Sequence, residues 1–286
     1  MKLRTPLDVV RNVKAIASLP AVFERINVVA NQPNSSLGDV AAIIAKDVGL
    51  TARLLKLVNS AYFGFPSKIE SITQACVVAG TRNIQQLALA TSVVEVFKSI
   101  PPSLLNMQLF WRHSVGCAMI SRSLAQMSGL LDVDRYFVVG MLHDIGRLAM
   151  LETMTDEAAA IIRKAYATGQ LTHQVEKECL GFTHADVGEA LLNVWGLPQV
   201  LGNLVSAHHA PAGCRSGLRE AAVPHFANIV AHALELGESG NPFVPPVEVG
   251  VWNSLGIEPS RLTQLVADLD NQFEDMAEIL CGDAHA

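Results

Sequence analysis

Apolar residues recur every three or four positions along most of this chain, and this spacing constrains the fold more than any other feature. One such stripe consists of Ile84, Leu87, Ala90, Val94 and Phe97. A period of this kind gathers the apolar side chains on one side of an α-helix. No segment of the sequence shows the alternation of apolar and polar residues that is typical of a half-buried strand. The sequence therefore predicts an all-α fold.

Local signals mark where individual helices begin. Ser36 with Asp39, and Thr183 with Asp186, have the spacing of a capping box, in which two side chains satisfy the free N–H groups at a helix start. We therefore expect one helix to begin just after Ser36 and another just after Thr183.

Pro101-Pro102 is the strongest interruption of the helical pattern. Proline removes a backbone donor and restricts the residue before it, so a proline pair ends a helix. We therefore expect a two-lobed helical bundle, with an N-terminal helical lobe at residues 1–100 and a second helical lobe at residues 101–286.

Charge and cysteine usage narrow the class of protein. Half of the 286 residues are hydrophobic, the formal net charge is −6, and no block of lysine and arginine occurs. We therefore expect no binding to nucleic acid and none to an anionic membrane. The five cysteines are scattered without a CxxC pair, which favours free thiols over disulfides. No basic and then apolar leader opens the sequence, so we expect a cytoplasmic location.

The most apolar long segment, residues 136–154, carries His143, Asp144 and Arg147 at its middle. Three polar or charged groups at the centre of a bilayer would be costly, so the segment predicts a buried helix of a soluble protein. Asp134 is positioned to cap this helix. On a helix, the side chains of His143 and Asp144 would point about 100° apart, which leaves room for one metal ion, or for two bridged by the carboxylate.

Three further histidines border apolar stripes and are expected to point inward. His113 borders the stripe of its own helix, His184 lies in the first turn of a second helix, and His208 follows the stripe of a third. A buried imidazole needs a hydrogen-bond partner or a metal, because an unsatisfied polar group in a core costs about 1–3 kcal/mol. Imidazole beside a carboxylate suits zinc, iron or manganese. With His143 and Asp144, these residues predict a metal site built from several helices.

Each histidine also has a simpler interpretation. Taken singly, such a residue is more often a satisfied core or surface histidine, and we assign each a chance of ligation of roughly one in five. The combination favours a metal site, because several inward-facing histidines lie on separate helices and one precedes Asp144 in an apolar segment. His173 and His285 are interpreted as solvent-exposed or terminal residues.

Short motifs along nearly the whole chain point to a family. Residues 140–147 read Gly-Met-Leu-His-Asp-Ile-Gly-Arg, and residues 58–64 read Val-Asn-Ser-Ala-Tyr-Phe-Gly. The other stretches that carry the likeness are Leu19-Pro20, residues 45–47, 50–56, 69–72, 184–188 and 195–198, and the pair His208-His209. The sequence resembles the HDOD (HD-related output domain) family, within the HD superfamily of metal-dependent phosphohydrolases. The block Asn59-Ser60-Ala61 is specific to this family.

The resemblance implies an HD-like second lobe that carries a metal site. The implied ligands are His113, the central pair His143 and Asp144, and the outer residues His184, His208 and His209. The implied metal is a divalent transition metal, namely iron, manganese, zinc or nickel. HDOD proteins are bacterial regulatory modules, most of them without catalytic activity, so the resemblance also implies protein partners in a signalling pathway.

The sequence departs from the HD pattern at two places. The closing aspartate is replaced by Asn228 or His232, and residues 210–213 lack the glutamate and Gly-Tyr-Pro turn of related cyclic-di-GMP phosphodiesterases. Asparagine removes a negative charge, and His232 would shift the preference toward softer metals. Both departures favour a regulatory module over its alternatives. These are a metal-dependent phosphohydrolase acting on a nucleotide or cyclic dinucleotide, and a sensor that binds a nucleotide without cleaving it.

Three other features have two interpretations each. Arg147 either anchors a phosphate or pairs with Asp144. Asn59 fits a helix end cap better than a ligand. Tyr62 and Phe63 form either an exposed patch for a partner or a hinge between the lobes.

Overall fold

The computed structural model describes a helical chain, and the prediction of an all-α fold is confirmed. The described residues are 5–12, 21–30, 32, 35–94, 96–97, 100–241, 243–248 and 250–282. Leu19-Pro20 and His285 therefore lie outside them. No strand occurs in these ranges. Across the same ranges, none of the helices combines the length and the apolarity that crossing a membrane requires.

The helices differ widely in length, from a single turn to about six turns. In chain order they are α1 (Pro6–Arg11), α2 (Ala21–Ala30), α3 (Leu37–Ile44), α4 (Val48–Val58), α5 (Ile72–Ala79), α6 (Thr81–Val93), α7 (Met107–Met127), α8 (Val133–Leu142), α9 (Ile145–Thr153), α10 (Thr155–Thr168), α11 (Thr172–Leu180), α12 (His184–Val194), α13 (Gln199–Ser206), α14 (Leu218–Ala233), α15 (Val251–Leu255) and α16 (Ser260–Cys281). A short 3-10 helix spans Pro211–Gly213.

The chain divides into two compact units. The larger unit comprises Met1–Ala17 and Ser99–Ala267, and the smaller unit comprises Ser18–Lys98 and Asp268–Ala286. In the smaller unit α2, α3, α4, α5 and α6 pack on one another, and in the larger unit α7 packs on α8 and α14 while α12 packs on α9 and α13. These units differ from the predicted lobes at both ends of the chain. Helix α1 belongs to the larger unit, where it packs on α9 and α12, and Asp268–Ala286 belongs to the smaller unit. The division into lobes at 1–100 and 101–286 stays a prediction.

Both predicted capping boxes are present. The Ser36 Oγ accepts from the Asp39 backbone N–H at 3.2 Å, and an Asp39 carboxylate oxygen accepts from the Ser36 N–H at 2.9 Å. The same exchange links Thr183 and Asp186 at the start of α12. Each box satisfies N–H groups that have no acceptor within the helix. The box at Thr183 therefore fixes the register of α12, whose first residue is a histidine.

The prediction of one continuous helix through His143 and Asp144 is wrong. Helix α8 ends just before His143, and α9 begins just after Asp144, whose backbone angles are φ −99° and ψ 9°. Close packing of two glycines explains the break. A Cβ atom at Gly140 would collide with the backbone of α7, and one at Gly146 would collide with the backbone of α12. Because α8 and α9 are held against different partners, the chain turns between them at the His-Asp pair.

One smaller prediction also fails. Asp134 does not cap α8, because it lies in the first turn and accepts a 2.6 Å hydrogen bond from Arg122 Nε, while Asp132 with φ 56° occupies the capping position. Helix α14 begins at Leu218, so Pro224 lies inside it. A proline there gives up one backbone hydrogen bond without ending the helix.

Candidate metal centre

Asp144 lies at the centre of a buried cluster of imidazoles in the larger unit. Its Oδ1 lies 2.8 Å from His184 Nε2 and 3.5 Å from His208 Nε2, and its Oδ2 lies 3.4 Å from His143 Nε2. Only 2% of the Asp144 side chain is exposed. One set of residues, here called the carboxylate group, has ligand atoms that all lie within 4.8 Å of one another, and it consists of Asp144, His184, His208 and His209.

Backbone carbonyls orient the rings of His143 and His208. His143 Nδ1 lies 2.7 Å from the Gly140 oxygen, and His208 Nδ1 lies 2.6 Å from the Val205 oxygen. A carbonyl oxygen only accepts, so Nδ1 carries a proton, and in the neutral form of either ring the lone pair lies at Nε2. Both Nε2 atoms are buried and have no hydrogen-bond partner within the described ranges. Each ring therefore directs an unpartnered nitrogen toward Asp144.

A buried glutamate on α11 holds His184. Glu176 Oε2 accepts from the His184 backbone N–H at 2.8 Å and lies 2.6 Å from His184 Nδ1. A carboxylate in this position fixes the tautomer of a histidine and raises its strength as a metal ligand. The sequence interpretation missed Glu176, although the signal was present, because this residue lies on the buried face of α11 next to Val175 and four positions before Leu180.

His209 links the cluster to an open pocket. Its Nε2 lies 3.0 Å from His184 Nε2, and its ring stacks on His173 with centroids 4.0 Å apart. The interpretation of His173 as a solvent-exposed residue is therefore wrong, since the stacked ring is half-buried, and burial lowers the pKa of His173 to about 4. The pocket has a volume of about 520 Å³, and Lys177 and Asp186 also lie in its wall.

A second set of candidate ligands, here called the thiol group, lies on the other side of His143. It consists of His113, Cys117 and His143, whose ligand atoms again lie within 4.8 Å of one another. The Cys117 Sγ lies 3.4 Å from His113 Nε2, and all three side chains are buried. Burial raises the pKa of the Cys117 thiol. Sequence interpretation treated this cysteine as a free thiol and did not connect it with the histidines.

Both residues expected at the closing position lie against His113. Asn228 Oδ1 is 3.1 Å from His113 Nε2, and the rings of His232 and His113 have centroids 4.5 Å apart. The Ser239 hydroxyl lies 3.3 Å from His232 Nε2. Asn228 therefore places a neutral oxygen where the HD pattern has an aspartate, and His232 lies one helical turn further along α14.

Arg147 is buried beside the carboxylate. Its Nη2 lies 3.8 Å from Asp144 Oδ1 and 3.4 Å from His184, and its Nη1 donates to the Gly240 carbonyl oxygen at 3.4 Å. With 3% of the residue exposed, the guanidinium is directed at groups of the protein itself. This arrangement fits the pairing interpretation of Arg147 better than the phosphate anchor.

The charges of the centre follow from a single carboxylate among several imidazoles. Burial disfavours a charge on His143, but Asp144 and Cys117 together outweigh burial and raise the pKa of His143 well above its ordinary value. Burial also opposes ionisation of Asp144, yet His143 and Arg147 hold the pKa of that carboxyl well below its usual range. Burial lowers the pKa of His208 to about 4 and that of His113 well below its ordinary value. Positive charge is therefore favoured at His143 and disfavoured at His208 and His113.

Asn59 lies in the smaller unit and acts on the backbone. It caps α4, its Nδ2 donates to the carbonyl oxygens of Leu55 and Ile69 at 2.8 Å each, and its Oδ1 accepts from the Ile69 N–H at 2.8 Å. The segment between these residues carries Tyr62 and Phe63, which are half-buried with ring centroids 5.4 Å apart. The interpretation of Asn59 as an end cap is thus supported by its contacts.

Comparison with known proteins identifies the family. The family model of the HDOD domain matches residues 16–211. A curated protein of Treponema pallidum (strain Nichols), itself uncharacterised, is 27% identical over 196 residues, which cover 68% of this chain and 37% of the relative. The match therefore spans little more than a third of that relative's length.

Two solved structures are similar over nearly their full length. An HDOD domain protein of unknown function from Geobacter sulfurreducens is 26% identical with a TM-score of 0.69, and the match covers 91% of each chain. A candidate phosphohydrolase from Shewanella amazonensis SB2B is 25% identical with a TM-score of 0.73, covering 96% of this chain and 98% of that one. On the match of the family model, together with these folds, the chain belongs to the HDOD domain family.

Proposed function

We propose that this chain is a cytoplasmic, bacterial signalling module that binds a divalent transition metal and does not hydrolyse phosphodiesters. In this proposal the metal is iron, manganese, zinc or nickel, and the module acts through protein partners in a signalling pathway. The proposed ligands are His113, His143, Asp144, His184, His208 and His209.

The unpartnered atoms of the cluster support a metal. Nε2 of His143 and Nε2 of His208 are buried without a hydrogen bond, and Asp144 Oδ1 receives no aligned donor although His184 Nε2 is 2.8 Å away. Leaving such groups unsatisfied costs about 1–3 kcal/mol each, and a bound cation would remove that cost. Ligand atoms about 2.0–2.1 Å from a tetrahedral ion lie about 3.3–3.4 Å apart, close to the 3.5 Å between Asp144 Oδ1 and His208 Nε2. The residues therefore fit a divalent metal.

The charge of the ligand set is the observation that carries the regulatory part of the proposal. Within the described ranges, the two candidate groups contain one carboxylate, Asp144, and Arg147 lies beside it. The closing position holds the neutral Asn228. Hydrolysis by a metal-activated water needs a nucleophilic hydroxide and stabilisation of developing charge, both of which depend on a complete ligand set. A single carboxylate, partly neutralised by an arginine, supports the binding of a metal better than the hydrolysis of a substrate.

The alternative function is a metal-dependent phosphohydrolase that acts on a nucleotide or cyclic dinucleotide. The open pocket beside His209 and the naming of the Shewanella protein favour it. The walls of the pocket weigh against it, because Lys177 shares them with Glu178 and Asp186. One positive and two negative side chains do not attract a phosphate. A sensor that binds a nucleotide without cleaving it would need the same pocket and meets the same objection.

Metal analysis combined with an activity panel tests the proposal. The purified full chain is analysed for metal and then assayed with nucleotides and cyclic dinucleotides in the presence of added manganese or iron. We expect bound metal that Asp144→Ala removes, and no turnover above that of the variant. Asp270→Ala, which removes an exposed carboxylate from α16, is the matched control and should keep its metal. Turnover that depends on Asp144 would overturn the regulatory function. A chain without metal, whose stability a chelator does not change, would overturn the metal site.

A further inference from the structure

We infer that Cys117 is a metal ligand and that, with His113 and His143, it forms a second metal position that prefers a borderline-soft divalent ion such as Zn²⁺. The inference rests on the proposed metal site and divides its ligands, because His113 and His143 would bind the second ion while Asp144, His184, His208 and His209 hold the first. It adds a ligand type, a thiolate, that the HD pattern does not contain.

The geometry of α7 brings the thiol to the histidine. Cys117 follows His113 by four residues, so both side chains project from the same face of the helix. A nitrogen about 2.0 Å and a sulfur about 2.3 Å from a tetrahedral zinc ion lie about 3.5 Å apart. The observed distance from Cys117 Sγ to His113 Nε2 is 3.4 Å. The two atoms are therefore already about as far apart as a nitrogen and a sulfur that bind the same tetrahedral zinc ion.

The end of α8 supplies the third ligand. His143 Nε2 is buried, has no hydrogen-bond partner within the described ranges, and belongs to the set whose ligand atoms lie within 4.8 Å of one another. Its Nδ1 is held by the Gly140 carbonyl, so the ring cannot turn this nitrogen elsewhere without losing a hydrogen bond. Asn228 Oδ1, 3.1 Å from His113 Nε2, is placed as a neutral fourth ligand.

Charge explains why a thiolate belongs in this position. Two imidazoles and an amide oxygen are neutral, so they compensate none of the charge of a divalent ion in a buried site. Cys117 gives up its thiol proton to solvent when the metal binds, and the resulting thiolate carries the negative charge that Asn228 does not provide. Thiolate with imidazole selects zinc over harder ions such as manganese.

The simpler role for Cys117 is that of a small buried side chain. Its Sγ lies 3.8 Å from the Ala227 carbonyl oxygen, a distance that suits a weak S–H hydrogen bond. A packing role predicts that bound metal never contacts sulfur. The two roles therefore differ in a spectroscopic property that does not depend on activity.

Cobalt absorption distinguishes them. The full chain is stripped with a chelator and loaded with Co²⁺, a spectroscopic substitute for zinc, and the near-ultraviolet spectrum is recorded for a thiolate-to-cobalt charge-transfer band. We expect the band in the wild-type chain and its loss in Cys117→Ser and Cys117→Ala, with bound cobalt falling by about one ion per chain. Cys76→Ser changes another buried thiol, on α5 of the smaller unit, and should keep the band.

The outcomes separate this inference from the proposed function. Cobalt bound without a thiolate band in the wild-type chain, a measurement that needs no variant, would overturn the role of Cys117 and leave the carboxylate group standing. A band that persists in both Cys117 variants would overturn it as well. Failure to bind any cobalt or manganese would overturn both proposals. Circular dichroism of each variant shows whether a lost band reflects a lost ligand or a lost fold.

Discussion

The carboxylate group and the thiol group share one buried centre but differ in charge and in support. In the carboxylate group, Asp144 carries a negative charge, Glu176 backs His184, and His209 reaches an open pocket. In the thiol group, the neighbours of His113 are a thiol and a neutral amide, and every member is buried. The difference shows that one helical fold can present two ligand sets of opposite chemical preference within a few ångströms. The predictions below alter one group and use the other as the internal reference.

Removing the charge behind His184 should have the largest effect. In Glu176→Gln the carboxylate becomes a neutral amide, so the histidine loses the partner that fixes its tautomer and raises its basicity. We expect binding of Mn²⁺, measured by competition with a metal-sensitive dye, to weaken by about 10- to 100-fold. The cobalt–thiolate band should be unchanged. Glu258→Gln, an exposed glutamate, is the control, and equal effects of the two variants would contradict the role of Glu176.

Adding a methyl group at each close helix contact should affect the two groups separately. Gly146→Ala forces α9 away from the backbone of His184, whereas Gly140→Ala forces α8 away from the backbone of Cys117. We expect each to lower the free energy of unfolding by about 1–3 kcal/mol in denaturant titrations.

The two glycine substitutions should differ in their effects on metal binding. Gly146→Ala should weaken Mn²⁺ binding more than it changes the cobalt–thiolate band, and Gly140→Ala should do the reverse. Gly213→Ala adds the same methyl group where nothing lies within 4 Å, so it should alter neither stability nor binding. Identical metal profiles for the first two variants would mean that the groups do not behave as separate positions.

Restoring the negative charge that is absent at Asn228 should have the smallest effect. Asn228→Asp places a carboxylate near His113, in the position that the HD pattern assigns to an aspartate. We expect the second position to gain affinity for Mn²⁺ by roughly 3- to 10-fold, because hard ions prefer anionic oxygen. Asn193→Asp on the exposed face of α12 adds the same charge elsewhere and should leave the affinity unchanged. An unchanged manganese affinity in Asn228→Asp, as in the control, would show that Asn228 is not close to the metal.

Local chemistry made part of this structure predictable from sequence. The capping boxes at Ser36 and Thr183 depend on residues three apart, so their signals lie within a single turn. The burial of His113, His184 and His208 also followed from helical periodicity, because each of these histidines borders an apolar face that must be buried.

Features set by contacts between distant helices could not be predicted in this way. The turn at His143 and Asp144 depends on Gly140 meeting α7 and Gly146 meeting α12, and no local signal marks it. The stacking of His173 on His209 joins residues from α11 and from the loop after α13. Cys117 carried a local signal, four residues after His113, but only the fold shows that His143 completes the set.

The hydrogen bonds of Asn59 have a consequence for the segment that follows α4. One side chain bonds both backbone groups of Ile69 and the end of α4, so it joins the two ends of the segment at residues 60–68. The positions of those ends do not depend on the residues between them. Loss of the Asn59 side chain would therefore release both ends of this segment at once, whereas a substitution at an exposed position inside it would leave the hydrogen bonds at both ends intact.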